Sequence, residues 1–192
     1  MPKMKNENIF FTPHGVPVRI PPYSDLAIRY SLAKRKPYEE NEARLINEHL
    51  QFDANVIELG GCYGIISALI RSKIGPDAYH IMAEANPALA AICSLNANTD
   101  MRSGKSEVVV KAVDYSGNQY VDFNTGTHPH GGHVGQAAKL ENTILTSTVT
   151  LSELALKIPE GPFVLICDIE GAELQLFERE KEIGGTVAMM FT

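Results

Sequence analysis

The sequence has no C-x-x-C pair, no apolar run near the ~20 residues that a membrane-crossing helix requires, no surplus of positive charge and no internal repeat. Each absence closes off a class of proteins. Cys62, Cys93 and Cys167, odd in number and widely spaced, supply neither a disulfide framework nor a thiolate zinc site. Each sits inside or beside an apolar run, where a free cysteine packs as a small hydrophobe, so a reducing cytoplasm is the expected compartment. Residues 1–11 carry lysines but no apolar core, which excludes a secretory signal there. Seventeen Lys and Arg stand against 23 Asp and Glu, a net charge of -6. Such a chain repels polyphosphate, so neither nucleic acid nor a membrane is an expected partner. With 44% apolar and 21% charged residues over 192 positions, a disordered tail, a collagen-like repeat and a coiled coil are also excluded. The expectation is one globular domain that needs no disulfide or metal to fold.

Residues 12–23 carry Pro13, Pro17, Pro21 and Pro22 and predict an extended, irregular stretch. Helices follow over 25–34 and 38–50, the second with Glu39 and Glu40 in its first turn and Ala43, Ile46 and Leu50 on one face. Residues 1–50 therefore read as a helical and irregular cap without a core of its own, and 51–192 as the main domain. From Asn55 the pattern alternates: strands over 55–60, 79–84, 107–113, 162–168 and 186–191, with helices over 63–73, 87–98, 151–158 and 171–181. Weaker strand signals lie between 117 and 147, around a loop rich in Gly and His. Apolar strands alternating with amphipathic helices predict an α/β fold, a parallel sheet covered by helices on both faces. Ligands of such sheets bind beyond the carboxyl ends of the strands. Here those ends carry acids: Glu58, Glu84, Asp114 and Asp168.

The run Glu58-Leu59-Gly60-Gly61-Cys62-Tyr63-Gly64 is a glycine-rich turn between the first strand and its helix. Glycine permits φ > 0 and close approach of the backbone to a ligand, and a tight turn chosen for packing alone has the same composition. A dinucleotide fingerprint, G-x-G-x-x-G, seats a pyrophosphate on the helix N-terminus. Cys62 stands where its second glycine belongs, and Glu58 is badly placed for an anion but well placed for a cation. S-adenosylmethionine carries a sulfonium and an ammonium and no phosphate, so an NAD-dependent oxidoreductase is disfavoured. Glu84 ends the second strand, where an acid accepts the ribose hydroxyls of an adenosine cofactor. Asp114 either meets the adenine amino group or forms a turn with Ser116 and Gly117.

Glu58-x-Gly60-x-x-x-Gly64, Glu84-Ala85-Asn86-Pro87 and Asp168-Ile169-Glu170-Gly171-Ala172-Glu173, with Thr150-Leu151-Ser152-Glu153-Leu154 leading into the last strand-and-helix unit, together resemble the FkbM family of S-adenosylmethionine-dependent methyltransferases. The resemblance spans about residues 54–180. It implies a class I, Rossmann-like methyltransferase fold and methylation of a hydroxyl, of a sugar or a natural-product-like small molecule. By that resemblance Glu58, Gly60, Gly61 and Gly64, with Tyr63 in the same loop, hold the methionine part of the cofactor. Glu84 holds the ribose, Ala85 and Asn86 lie beside the adenine, and Asp168 faces cofactor and acceptor. An alcohol is a poor nucleophile, so a general base is needed. Asp168, Glu170 and His133 are the candidates, and Glu170 and Glu173 equally suit the N-terminus of the following helix. His128, His130 and His133 belong to the glycine-rich loop, which reads as a polar lid rather than a metal site. Many family members have Asn at Cys62 and Lys at Ile166. These departures keep open a non-catalytic, cofactor-binding module. The chain ends after the fifth expected strand, one or two short of a full class I sheet, and an unpaired edge there would suit a homodimer.

Overall fold

A computed structural model describes residues 9–99, 104–125, 133–134, 143–169, 171–181 and 187–191. In chain order the elements are β1 (Ile9–Phe11), β2 (Val18–Ile20), α1 (Leu26–Ala33), α2 (Glu40–His49), β3 (Asn55–Leu59), α3 (Ile65–Lys73), β4 (His80–Ala83), α4 (Pro87–Ala97), β5 (Ser106–Val109), β6 (Ala112–Val113), β7 (Tyr120–Asn124), β8 (His133–Val134), β9 (Thr143–Val149), α5 (Leu151–Ala155), β10 (Phe163–Cys167), α6 (Glu173–Arg179) and β11 (Val187–Phe191). The strands β11-β10-β3-β4-β5, in that order, form one sheet in which every neighbouring pair is parallel. The chain is an α/β protein whose parallel sheet is flanked by helices, an arrangement compatible with a Rossmann-like fold.

Strand periodicity sorts the apolar side chains onto two faces. Val56 and Ile166 point to one face, where they share a core with Ile65, Ile66, Leu69 and Ile70 of α3 and with Ile46 of α2. Ile57, Leu59, Ile81, Leu165 and Cys167 point to the other, against Leu151 and Leu154 of α5 and Leu176 of α6. Residues 1–50 contribute Val16, Val18, Ile20, Ile28 and Leu32 to the first core, which is continuous with that of the sheet. Asn96 fastens this segment down: its amide donates to the carbonyls of Arg19 and Tyr63 and accepts from the Arg19 N–H at 2.7 Å.

Three stretches differ from the sequence reading. Residues 12–23 are not irregular throughout: Val18 and Ile20 alternate inward and pair with Phe11 and Ile9 in an antiparallel ribbon, and Pro13 opens the short 3-10 turn between the strands. The expected strand over 107–113 is two strands. The Lys111 N–H donates to the Val109 carbonyl at 3.0 Å, a γ-turn that ends β5 and redirects β6 into a second sheet. That sheet, ordered β6-β9-β7-β8, gathers the weaker strand signals between 117 and 147. From β9 the chain enters α5 through a capping box, with Thr150 and Glu153 each accepting the other's N–H. No helix among the described residues is long and apolar enough to cross a membrane.

Candidate functional site at the tips of β3 and β10

Counted along the chain, the five sheet strands lie in the order 3-2-1-4-5, and the order reverses between β3 and β10. In open α/β sheets a ligand crevice lies beyond the strand ends at such a reversal. The turn after β3 occupies it. Gly60 has φ +89°, and a Cβ there would lie 1.9 Å from the Asp168 carbonyl oxygen. At Gly61 a Cβ would meet the Cys93 sulfur at 2.6 Å, and at Gly64 (φ +71°) the Cys93 Cα at 2.7 Å. Each glycine is therefore required by the protein's own packing, of the turn against the end of β10 and against α4, whether or not a ligand also approaches. Cys62 has φ 44°, a left-handed conformation uncommon for a side-chain-bearing residue, and such strain concentrates at functional sites.

Glu84, at the end of β4, ties the two loops together. One carboxylate oxygen accepts the Cys62 N–H and the other the Asn86 N–H, both at 2.8 Å. Each oxygen keeps a lone-pair direction for a further donor. Burial raises the Glu84 pKa, against the pull of those two N–H groups. Asn86 caps α4 by accepting the Ala88 N–H, and Ala85 packs in a small cluster with Ala112 and Val121.

Other expected site residues are placed differently. Glu58 is 2% exposed and its carboxylate is committed inward. It accepts the Ser67 hydroxyl at 2.9 Å and pairs with His80 Nε2 at 3.0 Å, while His80 Nδ1 meets the Ser106 hydroxyl at 2.8 Å. An acid this deep is held by side chains on α3 and β4, so it forms the floor of the crevice rather than an open ligand contact. Tyr63 turns away into the core shared with the N-terminal segment, its hydroxyl accepting the Asp25 N–H at 3.4 Å. Asp114 forms the turn: it accepts both the N–H and the hydroxyl of Ser116, beside the second sheet and not in the crevice. His133 lies in β8, paired with Asn124 of β7. Glu170, His128 and His130 lie outside the described residues.

Where the turn, the tip of β10 and the start of α2 meet, they enclose a cavity of about 10 Å³, room for roughly one water molecule. Asp168 lines it, and so do Glu58, Glu39 and Glu42, while among the described residues no Lys, Arg or His does. Glu39 was expected as a first-turn acid of the helix over 38–50, and Glu42 carried no expected role. The available signal was spacing: Glu42 lies four residues before Ile46 and so on the apolar face of α2. Glu42 is 3% exposed. Burial, reinforced by the surrounding carboxylates, pushes Glu42 up to about 9; burial likewise takes Glu39 to about 7, partly offset by its hydrogen bond with Tyr38. Burial also raises the Cys62 thiol and the Tyr38 hydroxyl.

These two acids give stability a definite pH slope. From pH 4.5 upward the unfolded chain loses the Glu39 and Glu42 protons before the folded chain does, so folding loses free energy as pH rises, until about 7 for Glu39 and about 9 for Glu42. Thermal unfolding is expected at a higher temperature at pH 5.5 than at pH 8.5, and Glu42→Gln should remove much of that difference. Parallel pH profiles for the two proteins would contradict the assignment.

The crevice thus gathers carboxylates at a strand-order reversal, beside two carboxylate-tethered loops. That electrostatic setting disfavours a pyrophosphate and favours a cationic group. No group of His, Cys, Asp and Glu among the described residues has the geometry to hold a metal ion. Fold and crevice together describe an α/β protein, compatible with a Rossmann-like fold, with an acidic crevice at its switch point. Comparison with protein-family models, with curated proteins and with solved structures gives no match.

Proposed function

We propose that this crevice binds S-adenosylmethionine and that the protein is an O-methyltransferase, methylating a hydroxyl of a sugar or natural-product-like small molecule. The observation that carries the reading is the cavity at the tips of β3 and β10, lined by Glu39, Glu42, Glu58 and Asp168 and, among the described residues, by no cationic side chain. The FkbM resemblance supports the same choice. When bound, the cofactor supplies a methyl group on a positively charged sulfur. Glu84, with one lone-pair direction free on each oxygen, accepts the ribose hydroxyls while its other acceptor sites hold the loops in place. To Asp168, half-buried at the end of β10 and lining the same cavity, this reading gives the role of base for the acceptor hydroxyl.

A second reading, a cofactor-binding module without turnover, is favoured by one observation: Glu58 is consumed by His80 and Ser67, which leaves the crevice with fewer free acids than the motif suggests.

Titration calorimetry with S-adenosylmethionine and S-adenosylhomocysteine tests both. Micromolar binding is expected, weakened in Glu84→Ala by roughly tenfold or more, the value of a charged hydrogen bond, with NAD binding far more weakly. A folded protein that binds neither nucleoside overturns the proposal. Binding without methyl transfer to any hydroxylated acceptor favours the module.

A further inference from the structure

Glu42 is 3% exposed as a residue and lines the cavity at the switch point, and its carboxyl makes no hydrogen bond among the described residues. A buried acid without a donor is costly, and such groups are otherwise almost always satisfied. Among the described residues, the titratable groups around it are further acids and weak acids. Tyr38 and Glu39 line the cavity with it from just before α2, Glu58 from β3, Cys62 from the turn, and Asp168 from just past β10. The remaining neighbours are apolar, Ile65 and Ile66 of α3 among them. β11, which α2 also contacts, has the sequence Val-Ala-Met-Met-Phe and brings nothing titratable. A one-water cavity is also the size of one ammonium group, and an ammonium has the three donors that this carboxyl lacks.

We propose that Glu42, assisted by Glu39, is the seat of the ligand's ammonium group, and that the ligand enters by displacing a proton from this pair. The inference rests on the S-adenosylmethionine reading above and adds to it a residue outside the glycine motif. The exchange balances simply: the neutral carboxyl gives its proton to solvent, and the arriving ammonium pairs with the carboxylate left behind. The elevated proton affinity of Glu42 and Glu39, near 9 and 7, makes that release visible at neutral pH. Affinity for an ammonium-bearing ligand therefore rises with pH, and specificity for the amino-acid end of the nucleoside resides on α2.

The test compares S-adenosylhomocysteine, which carries the ammonium, with 5′-methylthioadenosine, which does not. Titration at pH 7.5 in buffers of different ionisation enthalpy is expected to show release of about one proton with the first ligand and none with the second. Glu42→Gln, which mimics the protonated acid in shape, should keep its unfolding temperature at pH 5.5 and its affinity for 5′-methylthioadenosine. Its affinity for S-adenosylhomocysteine should fall about tenfold or more, and most of the proton release should vanish. Glu39→Gln should show a smaller loss, and the exposed neighbour variant Glu40→Gln none. If the unmodified protein binds both nucleosides but Glu42→Gln changes neither affinity nor proton release, this inference falls while the cofactor reading stands. If it binds neither, both fall.

Discussion

Gly60→Ala should unfold on the order of 10 °C below the parent protein. Two independent penalties act at this position. A side chain at φ +89° costs about 1–2 kcal/mol in backbone strain. The added methyl group would also lie 1.9 Å from the Asp168 carbonyl oxygen, a backbone atom. Asp168 cannot withdraw freely, because its N–H donates to the Leu59 carbonyl at 2.9 Å, and the Gly60 N–H is itself bound to the Ala83 carbonyl. Forcing an atom into such a contact costs about 1–3 kcal/mol beyond the strain. At this chain length each kcal/mol lowers the unfolding temperature by about 2–4 °C. Gly171 provides the control: its φ is +102° and a Cβ there meets nothing within 4 Å, so Gly171→Ala should show the backbone cost alone. Equal losses in a thermal melt of the two variants would mean that close approach to Asp168 is not what demands glycine. The crevice should suffer with the fold, since Gly60 separates β3 from the turn that carries Cys62.

Arg71→Ala should be comparably severe, for a reason on the opposite end of α3. Arg71 is 1% exposed, and no carboxylate contacts it among the described residues. Its charge is met instead by backbone carbonyls: Ile74 at 2.8 Å, Ala78 at 3.1 Å and Gly75. These oxygens belong to the end of the helix and to the turn that leads into β4, where the helix dipole also favours a cation. Truncation leaves three carbonyls without their donor and opens a void the size of a long side chain. Together these cost about 3–5 kcal/mol by analogy with other buried polar deletions, again about 10 °C. Arg71→Lys should recover only part of the loss, since an ammonium is a point charge and cannot span three acceptors set around a planar fork. Recovery to the parent's stability in Arg71→Lys would show that charge alone suffices there.

The sheet was legible because its strands are apolar on both faces: residues 55–59 and 163–167 contain one charged side chain between them, Glu58. The direction of Glu58 was not legible. It depends on His80, twenty-two residues further on, and on Ser67, and the register that brings β4 beside β3 is a tertiary fact. Tyr63 misleads for a local reason. It lies between two left-handed residues, Cys62 and Gly64, and across such a turn the inward-outward alternation of a strand no longer applies. The break between Val109 and Ala112 is hidden because both halves are good strand sequence; only the hydrogen bond at Lys111 separates them. The acids of α2 were visible as acids, but their inward position requires knowing that α2 packs over the turn after β3. The strand-tip acids Glu84 and Asp168 were correctly located because a parallel sheet has one carboxyl edge, and every tip falls on it.

The second sheet has a geometric property that bears on how this chain can change. The chain leaves β6 at Val113 and returns along β9 to Val149, and these two residues are register partners in a parallel ladder, with the Asp114 N–H donating to the Val149 carbonyl at 3.2 Å. The chain thus departs from the main sheet and comes back to the same place. A stretch whose two ends are already neighbours is a cassette: the entropy of closing it grows only slowly with its length, so residues can be gained, lost or exchanged there without displacing β5 or β10. The main sheet and this excursion can therefore diverge at different rates, the first constrained by burial on both faces and the second by its packing on Ala85 and the need to return.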